Sequence, residues 1–188
     1  MRTFFQALTL TILAGVALTV LGELVRIWGV RHIGVISRTR SDRLGPLVGT
    51  GPFAYVRNPL YLGNIALWTG FALTARLPWL APVIASALAL VYHAIVRWEE
   101  GLLDARLGAA YREYAARTPR WLPRARPPAY DTAAGKARGS GRTVNNDSIT
   151  ASSSKRQPFP WRDTLFSERG TLLAMGAGYL LLWVKTRL

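Results

Sequence analysis

The chain has no cysteine, which excludes disulfides, thiolate nucleophiles and cysteine-based zinc or iron–sulfur sites. Its two histidines, His32 and His93, are far apart in sequence and form no metal-ligand spacing, so no metal is expected. Lysine occurs only as Lys136, Lys155 and Lys185. Arginine carries the remaining basic charge, a bias associated with GC-rich bacterial genomes. Acidic residues are scarce, 10 against 24 Lys and Arg, for a net charge of +14. Also missing are a strand, Gly-rich turn and helix in succession, a Walker loop, a Gly-x-Ser-x-Gly elbow and a His-Glu-x-x-His pair. A nucleotide-like cofactor would have to be held by helix ends and loops.

Half of the 188 residues are hydrophobic. They form blocks, Thr3 to Gly22, Leu60 to Ala75, Leu77 to Val96 and Gly170 to Val184, rather than a pattern scattered around a soluble core. A membrane helix needs roughly 20 apolar residues, about 17 to 25. The first and third blocks meet that. The second is short but extended by a snorkelling Arg76, and the fourth is the weakest, with an interfacial helix as its alternative. The first block has no clear small-x-small cleavage site and is followed by further membrane segments, so it reads as a retained helix. Arg26, Arg31, Arg38, Arg40, Arg43 and Arg57 lie between the first and second blocks, and many arginines follow the third, but only Arg76 separates the second and third. The positive-inside rule then puts the first and the long later loops in the cytoplasm. The basic charge reads as topology plus attraction to anionic headgroups, with no nucleic acid expected.

The first helix should extend through Glu23 to Trp28 into the interface, followed by a polar, Gly-rich loop over Ser37 to Gly51. A tight Arg76-Leu77-Pro78 turn makes Leu60 to Val96 an antiparallel hairpin, in which Gly63 and Gly70 permit close approach of a neighbour. Glu99 to Arg117 reads as an amphipathic helix weakened by Gly108 and stopped by Pro119 and Pro123. Arg124 to Pro160 shifts to Ala, Gly, Ser, Asn, Pro and basic residues, a composition too poor in apolar surface to offset ordering entropy. The expected organisation is a membrane core over 1–123, a disordered basic linker over 124–160, and a C-terminal membrane or interfacial helix over 161–188.

Two polar clusters bracket the hairpin. GPFAYVRNPLYLG, residues 51 to 63, packs Arg57, Asn58 and Tyr61 around Pro59 at the mouth of the second block. Arg97, Glu99 and Glu100 close the third. Such groups at a membrane helix end are costly unless water, a ligand or a partner satisfies them, so the pair suggests a ligand site at the membrane surface.

GPFAYVRNPLYLG resembles the Gly-Pro-Tyr-x-x-x-Arg-His-Pro-x-Tyr-x-Gly signature of isoprenylcysteine carboxyl methyltransferases, much of which the phospholipid methyltransferases share. EEGLLDARLGAAYREYAARTPRWLP resembles that family's Glu-Glu-x-x-Leu…Gly-x-x-Tyr-x-x-Tyr…Pro-Arg-x-x-Pro block, and ELVRIWGVRHIG its Arg-x-Trp-Ala…Leu-Gly approach. The resemblance covers roughly Gly22 to Pro123. It implies an all-α integral membrane protein with three or four transmembrane helices and a cytoplasmic amphipathic helix and lid after the third. It implies S-adenosyl-L-methionine as cofactor, bound at the cytoplasmic face of a bacterial inner membrane, and a lipophilic or lipid substrate.

The resemblance assigns cofactor contacts to Arg57, Asn58, Pro59, Tyr61, Gly63, Glu99, Glu100, Tyr111, Tyr114, Arg120, Leu122 and Pro123, and catalytic work to Arg57, Arg97 and Glu99. The chemistry suits the cofactor. Carboxylates pair its ammonium and sulfonium, an arginine pairs its carboxylate in a bidentate way, and aromatic faces attract a cation. Asn58 stands where the family usually carries histidine, and it cannot gain a proton near neutral pH. The eukaryotic enzymes place an arginine for the substrate carboxylate before the Glu pair, where this chain has apolar residues or His93. Carboxyl methylation is the leading expectation. Phospholipid amine methylation is one alternative, and a non-enzymatic membrane protein docking anionic lipid through its basic linker is another.

Overall fold

A computed structural model describes residues 2–34, 47–126, 158–185 and 187. Most of the expected linker and much of the Ser37 to Gly51 loop lie outside them. The described residues form five α-helices and no strand. Helix α1 spans Arg2–Ile33, so the first apolar block runs unbroken through Glu23 and Trp28. A 3-10 turn over Gly51–Ala54 leads into α2, Pro59–Thr74. Proline suits the first turn of a helix, where its missing N–H has no partner to lose. Helix α2 ends in a Schellman arrangement, with Leu77 N–H donating to the Ala72 carbonyl at 3.0 Å and Arg76 N–H to Leu73 at 3.1 Å. Arg76, not a glycine, takes the left-handed position, at φ 63°.

Helix α3 spans Leu80–Leu107 and α4 Ala109–Arg117. The amphipathic helix expected over Glu99 to Arg117 is thus divided. Its first part continues α3, carrying Glu99 and Glu100 on a membrane helix, and the break falls at Gly108, whose φ of 53° suits a residue without Cβ. Helix α5 covers Trp161–Lys185 and begins well before the last apolar block. Two segments, Gln6–Ile33 and Leu80–Leu107, are long and apolar enough to cross a membrane. Helix α2, at 16 residues, extends about 24 Å at 1.5 Å per residue.

Helices α1 and α2 pack antiparallel along a seam of glycines. A Cβ on Gly70 would lie 2.5 Å from the Gly15 carbonyl oxygen, and one on Gly22 would lie 2.6 Å from that of Gly63. Nearer the α1 C-terminus, Gly29 receives the Leu60 side chain. Glycines 15, 22 and 29 recur at heptad spacing, which keeps them on one face of α1 with a drift of about 20° per repeat. The neighbour that Gly63 and Gly70 admit is therefore α1, rather than the hairpin partner α3. Without a hydrophobic drive between helices in lipid, such close backbone contact supplies the dispersion that holds them.

Helix α5 runs antiparallel to α1 on its flank. Phe159 N–H donates to the Arg31 carbonyl at 2.8 Å, and Tyr179 O–H donates to Thr19 Oγ1 at 3.0 Å. The Arg31 and Thr19 levels lie about 18 Å apart along α1, at 1.5 Å per residue. The segment expected as a membrane or interfacial helix is thus a helix laid along α1.

The seam separates two classes of glycine. Gly70→Val should destabilise the detergent-purified protein by about 1–3 kcal/mol, the usual cost of overpacking, seen as a lowered thermal midpoint. Gly101, with nothing within 4 Å of an added Cβ, should tolerate alanine and gain up to about 1 kcal/mol from helix propensity.

Candidate functional site

The C-terminal end of α1, the N-terminal end of α2 and the last turns of α3 lie at the same end of the bundle, where the two polar clusters meet. Arg57 Nη1 stands 2.9 Å from Glu100 Oε1 and 3.4 Å from the Tyr111 hydroxyl. Arg120 grips the same carboxylate through both arms, Nε to Oε1 at 3.0 Å and Nη2 to Oε2 at 2.6 Å. A bidentate arginine fixes the plane of the carboxylate as well as its position. That hydrogen bonding raises the Arg120 pKa further above its already high value, keeping the guanidinium charged. Burial foremost raises the Tyr111 phenol, so it stays neutral while its oxygen accepts from Arg57.

Glu99 is placed differently. It accepts a 2.8 Å hydrogen bond from the Tyr61 hydroxyl on α2, and Tyr61 stacks on Tyr92 with ring centroids 4.6 Å apart. Adjacent positions on a helix point about 100° apart, so α3 turns Glu100 toward the arginines and Glu99 toward α2.

A strap over 118–123 covers the cluster, tied by main chain to the signature. Arg57 N–H donates to the Pro119 carbonyl at 2.9 Å and Arg124 N–H to the Tyr55 carbonyl at 3.0 Å. Asn58 occupies the N-cap position of α2 without capping it. Its Nδ2 instead donates to the Arg120 carbonyl at 3.1 Å, so this amide holds the strap. Trp121 stacks on His93 of α3, centroids 6.4 Å apart, which sequence reasoning did not anticipate. Tyr114 is buried and its hydroxyl donates to the Phe53 carbonyl at 2.8 Å, bracing the turn before Arg57.

The structure thus brings Arg57, Asn58, Tyr61, Glu99, Glu100, Tyr111 and Arg120 together. It sets Pro59 and Gly63 on the other side of the signature, against α1. Arg97 is exposed on α3 and makes none of the contacts that join the cluster, and Leu122 is 82% exposed. Behind the signature lies an apolar groove of about 540 Å³, lined by Leu21, Val25 and Trp28 of α1, Tyr55 and Val56 of the turn, Pro59, Leu62, Gly63 and Ala66 of α2, and Pro123 of the strap. The signature is therefore two-faced, polar toward α3 and apolar toward the groove. Trp28 is the tryptophan of the Arg-x-Trp-Ala approach, which marked it without assigning it a role, and Val25 stands just before that approach.

A family model described as phospholipid methyltransferase matches residues 10–110. The nickel-cobalt-cadmium resistance protein NccN of Alcaligenes xylosoxydans xylosoxydans is 34% identical over 123 residues, 65% of this chain and 53% of that protein. The cobalt-zinc-cadmium resistance protein CzcN of Cupriavidus metallidurans is 32% identical over 123 residues, 65% of this chain and 52% of that protein. The chain spans about half the length of these curated relatives. No solved structure matches it. With its helices, its signature and its Glu pair assembled at one end of the bundle, the chain belongs to the phospholipid methyltransferase family.

Proposed function

We propose that this protein is an S-adenosyl-L-methionine-dependent methyltransferase that modifies the polar end of a lipophilic acceptor, with its site on the cytoplasmic side of a bacterial inner membrane. The observation that carries this is the convergence of Arg57 and Arg120 on Glu100, at 2.9 and 2.6 Å, with the Tyr61–Glu99 pair beside it.

The donor set fits the cofactor. Glu100 is shared by two guanidinium groups. A bound amino-acid moiety brings one ammonium for the carboxylate and one carboxylate for the arginines, so each charge can exchange one opposite partner for another. In that reading Glu100 takes the ammonium, Arg57 and Arg120 take the carboxylate, and the Tyr61 and Tyr111 faces flank the positive and aromatic parts. When bound, the cofactor supplies an electrophilic methyl group on a sulfonium. The chain's contribution is orientation and exclusion of water, with the strap as roof and the Trp121–His93 stack as its membrane-side edge.

The apolar groove supports a lipophilic acceptor, because its walls offer a hydrocarbon tail an alternative to the bilayer without uncovering polar backbone. Carboxyl methylation of an isoprenylcysteine-like acceptor remains the leading chemistry. A carboxylate acceptor is already the nucleophile and needs no base. Glu99 favours a second reading. Its side chain accepts from the neutral Tyr61 phenol rather than pairing with an arginine, leaving it suited to accept a proton from an ammonium before amine methylation.

Membranes containing the protein, incubated with methyl-labelled S-adenosylmethionine, should yield labelled organic-soluble product above membranes lacking it. Glu100→Gln should remove most of that label. Glu99→Gln should lower transfer about 100-fold if Glu99 is the base and far less if the acceptor is a carboxylate. Base-labile label marks an ester and stable label an amine. Product at background levels in the wild type would overturn the enzyme reading.

A further inference from the structure

The strongest charge cluster outside the site lies within the helix bundle. Arg26 of α1 is only 13% exposed, and Glu23 and Glu168 beside it are 4% and 1% exposed. The Arg26 guanidinium stands 2.7 Å from Glu168 Oε2 and 3.3 Å from Glu23 Oε2, donates to Thr171 Oγ1 at 3.3 Å, and donates to Asn64 Oδ1 of α2. One side chain thus ties three helices together. Its stem crosses the α1–α2 seam where Gly63 leaves room, since a Cβ there would lie 2.7 Å from Arg26 Cγ. This explains Gly63 in the signature by passage of Arg26 and of the α1 backbone.

Asn64 is three positions after Tyr61, so the two lie on neighbouring faces one turn apart. Fixing Asn64 fixes the rotation of α2, and with it the Tyr61 hydroxyl that meets Glu99. A buried arginine is aimed by its closest charge-assisted contact, and Glu168, at 2.7 Å against 3.3 Å for Glu23, supplies it. The partner comes from α5, beyond the residues 10–110 that the family model covers. We propose that Arg26, locked by Glu168 of the C-terminal helix, is a positioning residue that sets the rotation of α2 and so the placement of Tyr61 against Glu99. Helix α5 is then part of the machinery rather than an added anchor.

The binding arm of the test rests on the methyltransferase reading, and the distance arm does not. Because the chain has no cysteine, Trp68→Cys on α2 and Val91→Cys on α3, both exposed positions, take a clean pair of spin labels. In this background the label distance should be narrow. Glu168→Gln should broaden or shift it, and so should Asn64→Ala, which keeps the Arg26–Glu168 pair and uncovers no charge. Tyr179→Phe loosens α5 at its far end by removing the hydroxyl that reaches Thr19 and Thr74, and should leave the distance unchanged.

Binding of S-adenosylmethionine to the full-length, detergent-purified protein should weaken at least about fivefold in Glu168→Gln and Asn64→Ala, since a misplacement near 1 Å can cost ~100-fold at a reacting site. It should stay within about twofold in Tyr179→Phe. Unchanged label distances in both Glu168→Gln and Asn64→Ala would overturn the proposal, as would equal effects of Tyr179→Phe, which would reduce Glu168 to general helix docking. If Glu168→Gln does not fold, Asn64→Ala decides. If the wild type binds no S-adenosylmethionine, the methyltransferase reading fails while the label distances still judge the positioning.

Discussion

Charge at membrane depth must be matched, and Glu100 is where this chain matches it. One carboxylate holds an arginine from the signature before α2 and another from the strap after α4, at 2.9 and 2.6 Å. Two distant segments are thereby fixed to one helix end. The main-chain bonds from Arg57 to Pro119 and from Arg124 to Tyr55 follow from that closure, as does the use of Asn58 to hold the strap rather than to cap its own helix. The same three charges are what a ligand with an ammonium and a carboxylate could exchange with, so structure and proposed chemistry rest on one feature.

Beneath the site the bundle is organised by how α1 divides its surface. Its glycine face meets α2 at backbone contact. A polar flank carrying Thr19, Glu23 and Arg26 meets α5. An apolar flank carrying Leu21, Val25 and Trp28 lines the groove. A helix in lipid gains little from burying apolar side chains, so contact is decided by small residues and satisfied polar groups. That is why two buried glutamates and an arginine can serve as packing groups here.

Much of this could be read from sequence because the deciding signals were local. The apolar blocks mark α1, α2 and α3 by length, and Pro59 and the Arg76–Pro78 turn mark the ends of α2. The two polar clusters were separately visible, and the family resemblance supplied their pairing. What could not be read was pairing between distant segments. Nothing local to Gly63 says whether it faces a cofactor, α3 or α1, and it faces α1. Glu168 looks like a polar start to a weak apolar segment until Arg26 is placed opposite it. Glu99 and Arg117 seemed to belong to one amphipathic helix because periodicity runs through Gly108, whereas the backbone turns there at positive φ. The signature itself reads as a single unit in sequence, but helical geometry gives Pro59 and Gly63 to the groove side and Tyr61 to Glu99.

The most direct test of the central claim is equilibrium binding of S-adenosylmethionine to the purified wild type beside Glu100→Gln and Glu113→Gln, the last removing an exposed carboxylate paired only one turn away with Arg117. The account predicts saturable binding in the wild type and in Glu113→Gln, and binding weaker by at least about tenfold in Glu100→Gln, the loss expected of a charge-assisted contact. Equal affinity in all three proteins, or no saturable binding in any, would contradict it.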